Sequence, residues 1–505
     1  MIPELAQAIG HGPVHFIGIG GISMSGLARI LLDQGIPVTG SDRVDSPVIH
    51  ALRARGARIG VPHNPDLVGG QTLVVHTAAI SDDNPELLAA HAQGMTVMDR
   101  GHFLGLLARG YRRTLAISGT HGKTTSTGMT ACVLLAADTD PTIQIGGMLP
   151  AIGGNTRSGS TGWFLMEACE YKNSYHSFHP THALILNIEA DHLDFFKDLD
   201  DVLASFARFT ENIADNGTLV LNLDDAGCLA LANRLKRPWC GYRVLESTMG
   251  APTETPPESS AIGTAAAMDG TSGADIPAAP ASKNPTTSAP QALYEARHVR
   301  TENGLPVFDV HADKVRVATV RLNVPGAHNV QNALGCFALT HRAGISPQVI
   351  ANGLSAFTGT GRRFEFRGLV NGARLYDDYA HHPSEIRATL ATARQMTGGR
   401  ILCVFQPHTY TRTRELLKDF AAALIRSDLC VVVDIYAARE PDLGQVHARD
   451  LVQAIRERGG NATYADSFAA AAQLARQQAA PEDVLLVMGA GDIAALPDLL
   501  LSPDL

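Results

Sequence analysis

Ile117-Ser118-Gly119-Thr120-His121-Gly122-Lys123-Thr124-Thr125 is the stretch that decides how this chain folds. The apolar run Leu115-Ala116-Ile117 leading into it reads as a buried strand, and the residues after the loop read as a helix. Gly119 and Gly122 let the backbone wrap phosphates, with Thr120, His121 and Thr125 completing the loop. Lys123 can place its ammonium on the β and γ oxygens of a nucleoside triphosphate, and the Thr124 hydroxyl is placed for Mg²⁺. Two residues rather than four separate the glycines, a departure from the general phosphate-binding loop. The flanking strand and helix separate the motif from a chance Gly-Lys-Thr.

Outward from this loop the same rhythm repeats: a short apolar run, a polar turn, a helical pattern. Val14-His15-Phe16-Ile17, Leu73-Val74-Val75, Phe164-Leu165-Met166, Ala183-Leu184-Ile185-Leu186 and Leu219-Val220-Leu221 all read as strands. So do Ile401-Leu402-Cys403-Val404-Phe405, Val431-Val432-Val433 and Val484-Leu485-Leu486-Val487. Unbroken apolar strands between helices predict parallel sheets buried on both faces, an α/β fold. At 505 residues the chain has room for about three domains. The expected limits are 1–108, 109–360 and 361–505. From Ser247 to Gln291 the chain is mostly Ala, Pro, Ser, Thr and Gly, with no aromatic between Tyr242 and Tyr294. Such a stretch cannot bury enough apolar area to offset its ordering entropy. It reads as a disordered insertion between two strands, replaceable by a short Gly/Ser bridge.

Net charge is −9, which argues against a nucleic-acid coat or a polybasic membrane arm. No run of 18 apolar residues occurs, so no membrane span is expected. The N-terminus lacks the order of a secretory signal. Seven Cys without a CxxC pair argue against a disulfide framework or structural zinc, and the expected location is cytoplasmic.

A second Gly-rich turn, Gly18-Ile19-Gly20-Gly21-Ile22-Ser23, follows the first strand. Its amides suit a diphosphate, and Asp42 after the next short strand could reach a ribose hydroxyl. Ser23 stands where a dinucleotide fingerprint has its last Gly, so the ligand stays open between NAD and another diphosphate. Glu167 and His192 lie after strands and are the best metal candidates. Glu170 reads as a capping or solvated carboxylate, and Asp191 and Asp194 read equally well either way. Asn329 and Asn332 sit three apart; spacing alone favours helix capping over adenine pairing. The polar clusters Arg362-Arg363, Tyr376 to Pro383 and Gln406 to Arg414 suit an anionic substrate and a triphosphate.

Together the strings GIGGISMSG, SGTHGKTT, EACEY, NIEADHLD, PGAHNVQNA, GRRFE, DDYAHHPSE, FQPHTYTRT and GAGDI resemble the Mur ligases, ATP-dependent amide-forming enzymes of peptidoglycan synthesis. The resemblance covers nearly the whole chain, and the short phosphate loop is the form this family uses. It is strongest to the members that join L-alanine to the lactyl carboxylate of UDP-N-acetylmuramate. The implied architecture is a Rossmann-like UDP-sugar domain, a central ATPase domain and a Rossmann-like C-terminal domain for the amino acid. The implied cofactors are ATP and Mg²⁺, with Lys123 on the triphosphate and Thr124, Glu167 and His192 on the metal. His328, Asn329 and Asn332 are implied near adenine, Arg363 or Arg362 at the γ-phosphate, and Asp377 or Asp378 near the ribose. Gly18, Gly20, Gly21, Ser23, Asp42, Asn155 and Arg157 are implied for the UDP-sugar, and Tyr379, His381 and Arg412 for the amino acid. Lys123, His192, Arg363 and His381 are the implied catalytic set, in a monomer or weak homodimer.

Two departures stand out. Many relatives read EADESD where this chain has EACEY, and Thr409 stands where some have another Arg, which leaves more to Arg412. The alternatives are a murein tripeptide recycling ligase, a nicotinamide-dependent dehydrogenase and a non-catalytic UDP-sugar sensor.

Overall fold

In the computed structural model, residues 3–10, 12–70, 73–77, 80–193, 195–245, 289–438 and 440–502 are described. Their strands form sheets of five, ten and six. The first runs Arg58–Gly60, Val38–Ser41, Val14–Ile17, Leu73–His76, Thr96–Asp99, all parallel. The strand order reverses beside Val14–Ile17, and its Gly-rich turn opens at that switch point, where open α/β sheets bind ligands.

The central sheet is built around Arg113–Ser118, which lies between Trp163–Glu167 and His182–Ile185, parallel to both. Every residue from Thr114 to Ser118 is buried, which the unbroken apolar run foretold. The third sheet orders Glu365–Val370, Ala373–Asp378, Val484–Met488, Ile401–Phe405, Leu429–Val432 and Ala462–Tyr464.

Purely parallel sheets were expected; the structure adds antiparallel edges. Leu293–Glu302, Leu305–Ala312 and Val315–Arg321 form a meander that extends the central sheet. At its other edge Gly154–Arg157 pairs antiparallel with Thr142–Leu149, and Glu365–Val370 does so with Ala373–Asp378 in the third sheet. Val315–Arg321 alternates polar and apolar and is half exposed, so it carried no continuous apolar signal.

Hydrophobic packing does not respect the sheets equally. One core runs from Phe16 and Leu27 through Phe103 to Phe164, Phe178 and Phe206, joining the first sheet to one face of the central one. The third sheet has its own cores, around Phe405 and Phe420 and around Leu485 and Leu496.

On the helix Pro85–Ala92, beside the first sheet, Glu86 is fully buried. It accepts from His15 Nε2 at 2.8 Å, Ser41 Oγ at 2.7 Å and the Asn64 amide at 2.8 Å. Burial alone would raise its pKa, but these donors outweigh it and hold the carboxyl below its ordinary value. Its stabilising contribution is therefore present above the unfolded value of 4.5 and lost as pH falls. Glu86→Ala takes the partner from His15 Nε2 and from the Asn64 amide and should cost about 3–5 kcal/mol. Calorimetry should show a lowered unfolding transition; an unchanged one would contradict the network's role.

The Ser247–Gln291 segment lies, for 247–288, outside the described residues. The strands on either side, Cys240–Val244 and Leu293–Glu302, are parallel neighbours, with Gly241 opposite Leu293. A bridge of only a few residues is therefore too short, because the chain must return along the length of the strand to start its parallel neighbour, and parallel crossovers take a dozen or more residues. Replacing 247–288 with about 15 Gly/Ser residues should keep the protein folded and active. A folded variant that had lost its turnover would show that the segment takes part in function.

Candidate active site

The phosphate loop is shaped by two glycines and one asparagine. Gly122 is the left-handed N-cap of helix Lys123–Ala136, at φ +81°. A Cβ there would also lie 2.9 Å from Asn332 Oδ1, so glycine permits both the turn and the approach. Asn187 clamps the loop from the neighbouring strand: its Oδ1 accepts from the His121 amide at 2.7 Å and its Nδ2 donates to His121 O at 3.1 Å. Asn187 was not foreseen, although it opens the NIEADHLD string.

Lys123 donates to Gly119 O at 2.5 Å, Thr120 O at 3.0 Å and both Glu170 oxygens at 3.0 and 3.1 Å. Burial opposes its charge, but Glu170 outweighs burial and holds the ammonium above its ordinary pKa. Glu170 stands at the N-cap position of the short helix Tyr171–Ser177, but its side chain makes no capping hydrogen bond and is not solvated; it is buried against the loop lysine. The Thr124 hydroxyl donates to Glu167 Oε2 at 3.3 Å, and Glu167 Oε1 accepts from the Gly146 amide at 2.6 Å. Burial still pushes the Glu167 carboxyl up, because these donors offset it only in part. A half-buried carboxylate with a hydroxyl beside it fits a hard divalent cation, which takes oxygen ligands. His192, at φ +54°, lies tilted against the Tyr171 ring and brings Nε2 to 3.8 Å from Glu170.

These groups share a cavity of about 670 Å³ with residues of the third sheet. Lys123, Thr124, Glu167 and His192 line one side, and Tyr379, His381, His408 and Arg412 the other. Arg412 donates to Asp191 Oδ1 through Nε at 3.2 Å and through Nη2 at 2.7 Å. Burial drives His381 down to about 3 and His408 to about 4, so both are neutral at pH 7. Asp194 lies outside the described residues.

A second cavity, of about 690 Å³, is lined by His121, Thr125, His328, Asn329, Asn332 and Asp378 among others. The capping reading of the asparagines is corrected here. The N-cap is Gly326, while Asn329 Nδ2 donates to Pro325 O at 2.7 Å and Asn332 Nδ2 to Asn329 Oδ1 at 3.3 Å. Asp378 is pushed up to about 6 by burial, and its Oδ2 accepts from Thr389 at 2.9 Å.

The structure separates the paired alternatives. Arg362 lines the first cavity too, but Asp377 at 3.2 Å and Gly489 O at 2.6 Å hold it; Arg363 lines both cavities, its guanidinium 4.7 Å from the Tyr379 ring centre. Asp377 is fully buried against Arg362 and lines neither cavity; Asp378 lines the second.

Further polar contacts join the central and third sheets. His121 Nδ1 lies 3.2 Å from Glu385, and Ser384 donates to Glu189 at 2.6 Å. Burial works against a charged His121, but Glu385 and Glu189 outweigh it and hold the imidazole at about 9.

At the first sheet, the Gly20 amide donates to Asp42 Oδ2 at 2.8 Å, so this carboxylate shapes the turn beside Gly18, Gly21 and Ser23. Asn155 Nδ2 reaches across to Ile22 O at 2.7 Å, and Ile22 sits on the wall of the cavity that holds Lys123. Arg157 instead turns to Asp140 and to Pro141 O, and lines neither cavity.

Residues 13–112 match the Mur ligase family catalytic domain, 117–253 the Mur ligase middle domain and 362–491 the Mur ligase glutamate ligase domain. The chain is 42% identical over 489 residues to a UDP-N-acetylmuramate–L-alanine ligase of Acetivibrio thermocellus, covering 97% of this chain and 95% of that one. It is 41% identical to the protein of that name from Clostridium novyi, covering 97% of each. Its fold matches the crystal structure of UDP-N-acetylmuramate-alanine ligase from Thermotoga maritima with a TM-score of 0.74 and 26% identity, over 97% of this chain and 98% of that one. A murein peptide ligase from Psychrobacter arcticus shares the fold at a TM-score of 0.67 and 21% identity, over 97% and 98%. This chain belongs to the Mur ligase family.

Proposed function

We propose that the protein joins L-alanine to the lactyl carboxylate of UDP-N-acetylmuramate, with ATP converted to ADP and phosphate. The observation that carries this reading is the shared cavity: the phosphate-loop lysine, a cation-ready carboxylate and an arginine–imidazole corner face one space. Relatives named as UDP-N-acetylmuramate–L-alanine ligases match this chain nearly end to end.

A carboxylate does not accept an amine at neutral pH, because its oxygen is a very poor leaving group. Phosphorylation of the lactyl carboxylate by ATP gives an acyl phosphate; the alanine amine then attacks its carbonyl carbon and phosphate leaves. Positioning and charge neutralisation dominate such a reaction. Lys123 releases Glu170 and turns its ammonium to the β and γ oxygens. Arg363, between the two cavities, faces the γ-phosphoryl. Thr124, Glu167 and His192 hold Mg²⁺, which when bound neutralises phosphate charge. His328, Asn329 and Asn332 take adenine, Asp378 the ribose, and the amides of Gly119 to Thr125 the phosphates. Gly18, Gly20, Gly21, Ser23, Asp42, Asn155 and Arg157 serve the UDP-sugar; Arg157 must leave Asp140 to do so. Tyr379, neutral His381 and Arg412 receive the amino acid. The working domains on this reading are 1–108, 109–360 and 361–505. The enzyme acts in the cytoplasm as a monomer or weak homodimer.

The test is phosphate release from ATP, Mg²⁺ and UDP-N-acetylmuramate. Release should require L-alanine and should not be supported by L-Ala-γ-D-Glu-meso-diaminopimelate. Preference for the tripeptide would make this a recycling ligase, and no acceptor-dependent release would exclude a ligase altogether. Lys123→Ala should lower turnover by roughly 100- to 1000-fold. Near-normal turnover in a folded variant would remove the loop from the mechanism.

A further inference from the structure

Asp191 and Arg412 form an ion pair on a cavity wall, and each is about nine-tenths buried, with side-chain exposures of 8% and 10%. The pair is incomplete on both sides. Asp191 Oδ1 takes three donors: two from Arg412 and the His192 amide at 2.7 Å. Its Oδ2 accepts no hydrogen bond among the described residues; His192 Nε2, the cation-capable group paired with it, stands 3.9 Å away. Arg412 uses three of its N–H groups, two on Asp191 and one, from Nη1, on His408 Nδ1 at 3.2 Å. A guanidinium has five, so one donor remains on each terminal nitrogen.

A buried carboxylate with a free oxygen, beside a guanidinium with free donors, is complementary to a molecule carrying both charges on adjacent groups. Resting on the function proposed above, we infer that Asp191 is the ammonium-binding half of an α-amino-acid receptor whose carboxylate-binding half is Arg412. Without substrate the two halves neutralise each other. A zwitterion entering between them exchanges one ion pair for two, so no charge is left buried and unpaired.

Glu440, whose Oε2 accepts from the Thr411 amide at 2.8 Å, is a rival on the same wall, but it is only half-buried and has no guanidinium partner among the described residues, whereas Asp191 is buried beside Arg412. The receptor selects for the ammonium as well as the carboxylate, so it rejects acids that lack an amine.

The test compares L-alanine with L-lactate, which replaces the ammonium by a hydroxyl. In Asp191→Asn the KM for L-alanine should rise roughly 10- to 100-fold, with the KM for ATP unchanged and inhibition by L-lactate hardly moved. If alanine and lactate weaken together, Asp191 only aims Arg412 and the proposal falls. It also falls if the alanine KM is unchanged, or if Glu440→Gln rather than Asp191→Asn produces the alanine-specific loss. The wild type gives an independent check that needs no folded variant: lactate binding as tightly as alanine overturns the inference. A wild type without alanine-dependent phosphate release would instead overturn the underlying function, which keeps the two failures apart.

Discussion

Lys123 keeps an ammonium out of water, and that fixes what must surround it. Two loop carbonyls and the Glu170 carboxylate satisfy it. Those partners are within reach only because Arg113–Ser118 runs parallel to Trp163–Glu167, so the polar residues after both strands emerge at one edge. The strand on the other side, His182–Ile185, is parallel too, and Asn187 and Asp191 follow from it. A single buried charge thus makes sense of the central strand order and of the carboxylates at its rim.

The carboxylates of this region form a graded series. Glu167 is pushed up by burial, Asp378 further, to about 6, while Asp191 is held down by Arg412 and its neighbours. The difference lies in contact: Arg412 hydrogen-bonds Asp191 directly, whereas among the described residues no cation hydrogen-bonds Glu167 or Asp378. Glu167 and Asp378 are under-compensated, which suits groups that await a cation or a hydroxyl; Asp191 is compensated, which suits one that exchanges partners. The imidazoles divide in the same way: His121, between two carboxylates, is held charged, while His381 and His408 are kept neutral by burial.

Much of this was legible in the sequence. Short apolar runs marked the core parallel strands, because a strand buried on both faces leaves no room for polar residues. The phosphate loop was legible because its chemistry is local: glycines, lysine and hydroxyl are contiguous. The antiparallel edges were not, since one-sided strands such as Val315–Arg321 mix exposed and buried positions. Glu170 and Asp191 were misread or left open for another reason. Whether a carboxylate is solvated or paired depends on a cation distant in sequence, and Arg412 lies 221 residues from Asp191. Asn329 and Asn332 were drawn to capping because an asparagine near a helix start usually caps; here Gly326 holds that place.

Gly26 faces Thr156, and a Cβ on it would collide with the threonine Oγ1. The helix Ile22–Asp33 therefore lies close against the edge strand Gly154–Arg157 of the central sheet, over a hydrophobic core continuous across both layers. Across the other boundary the joining contacts are imidazole, hydroxyl, carboxylate and guanidinium. Parting the first two layers would expose oil to water. Parting the third layer only trades salt links for hydration, so the hinge of this molecule belongs on the side from which the amino acid arrives.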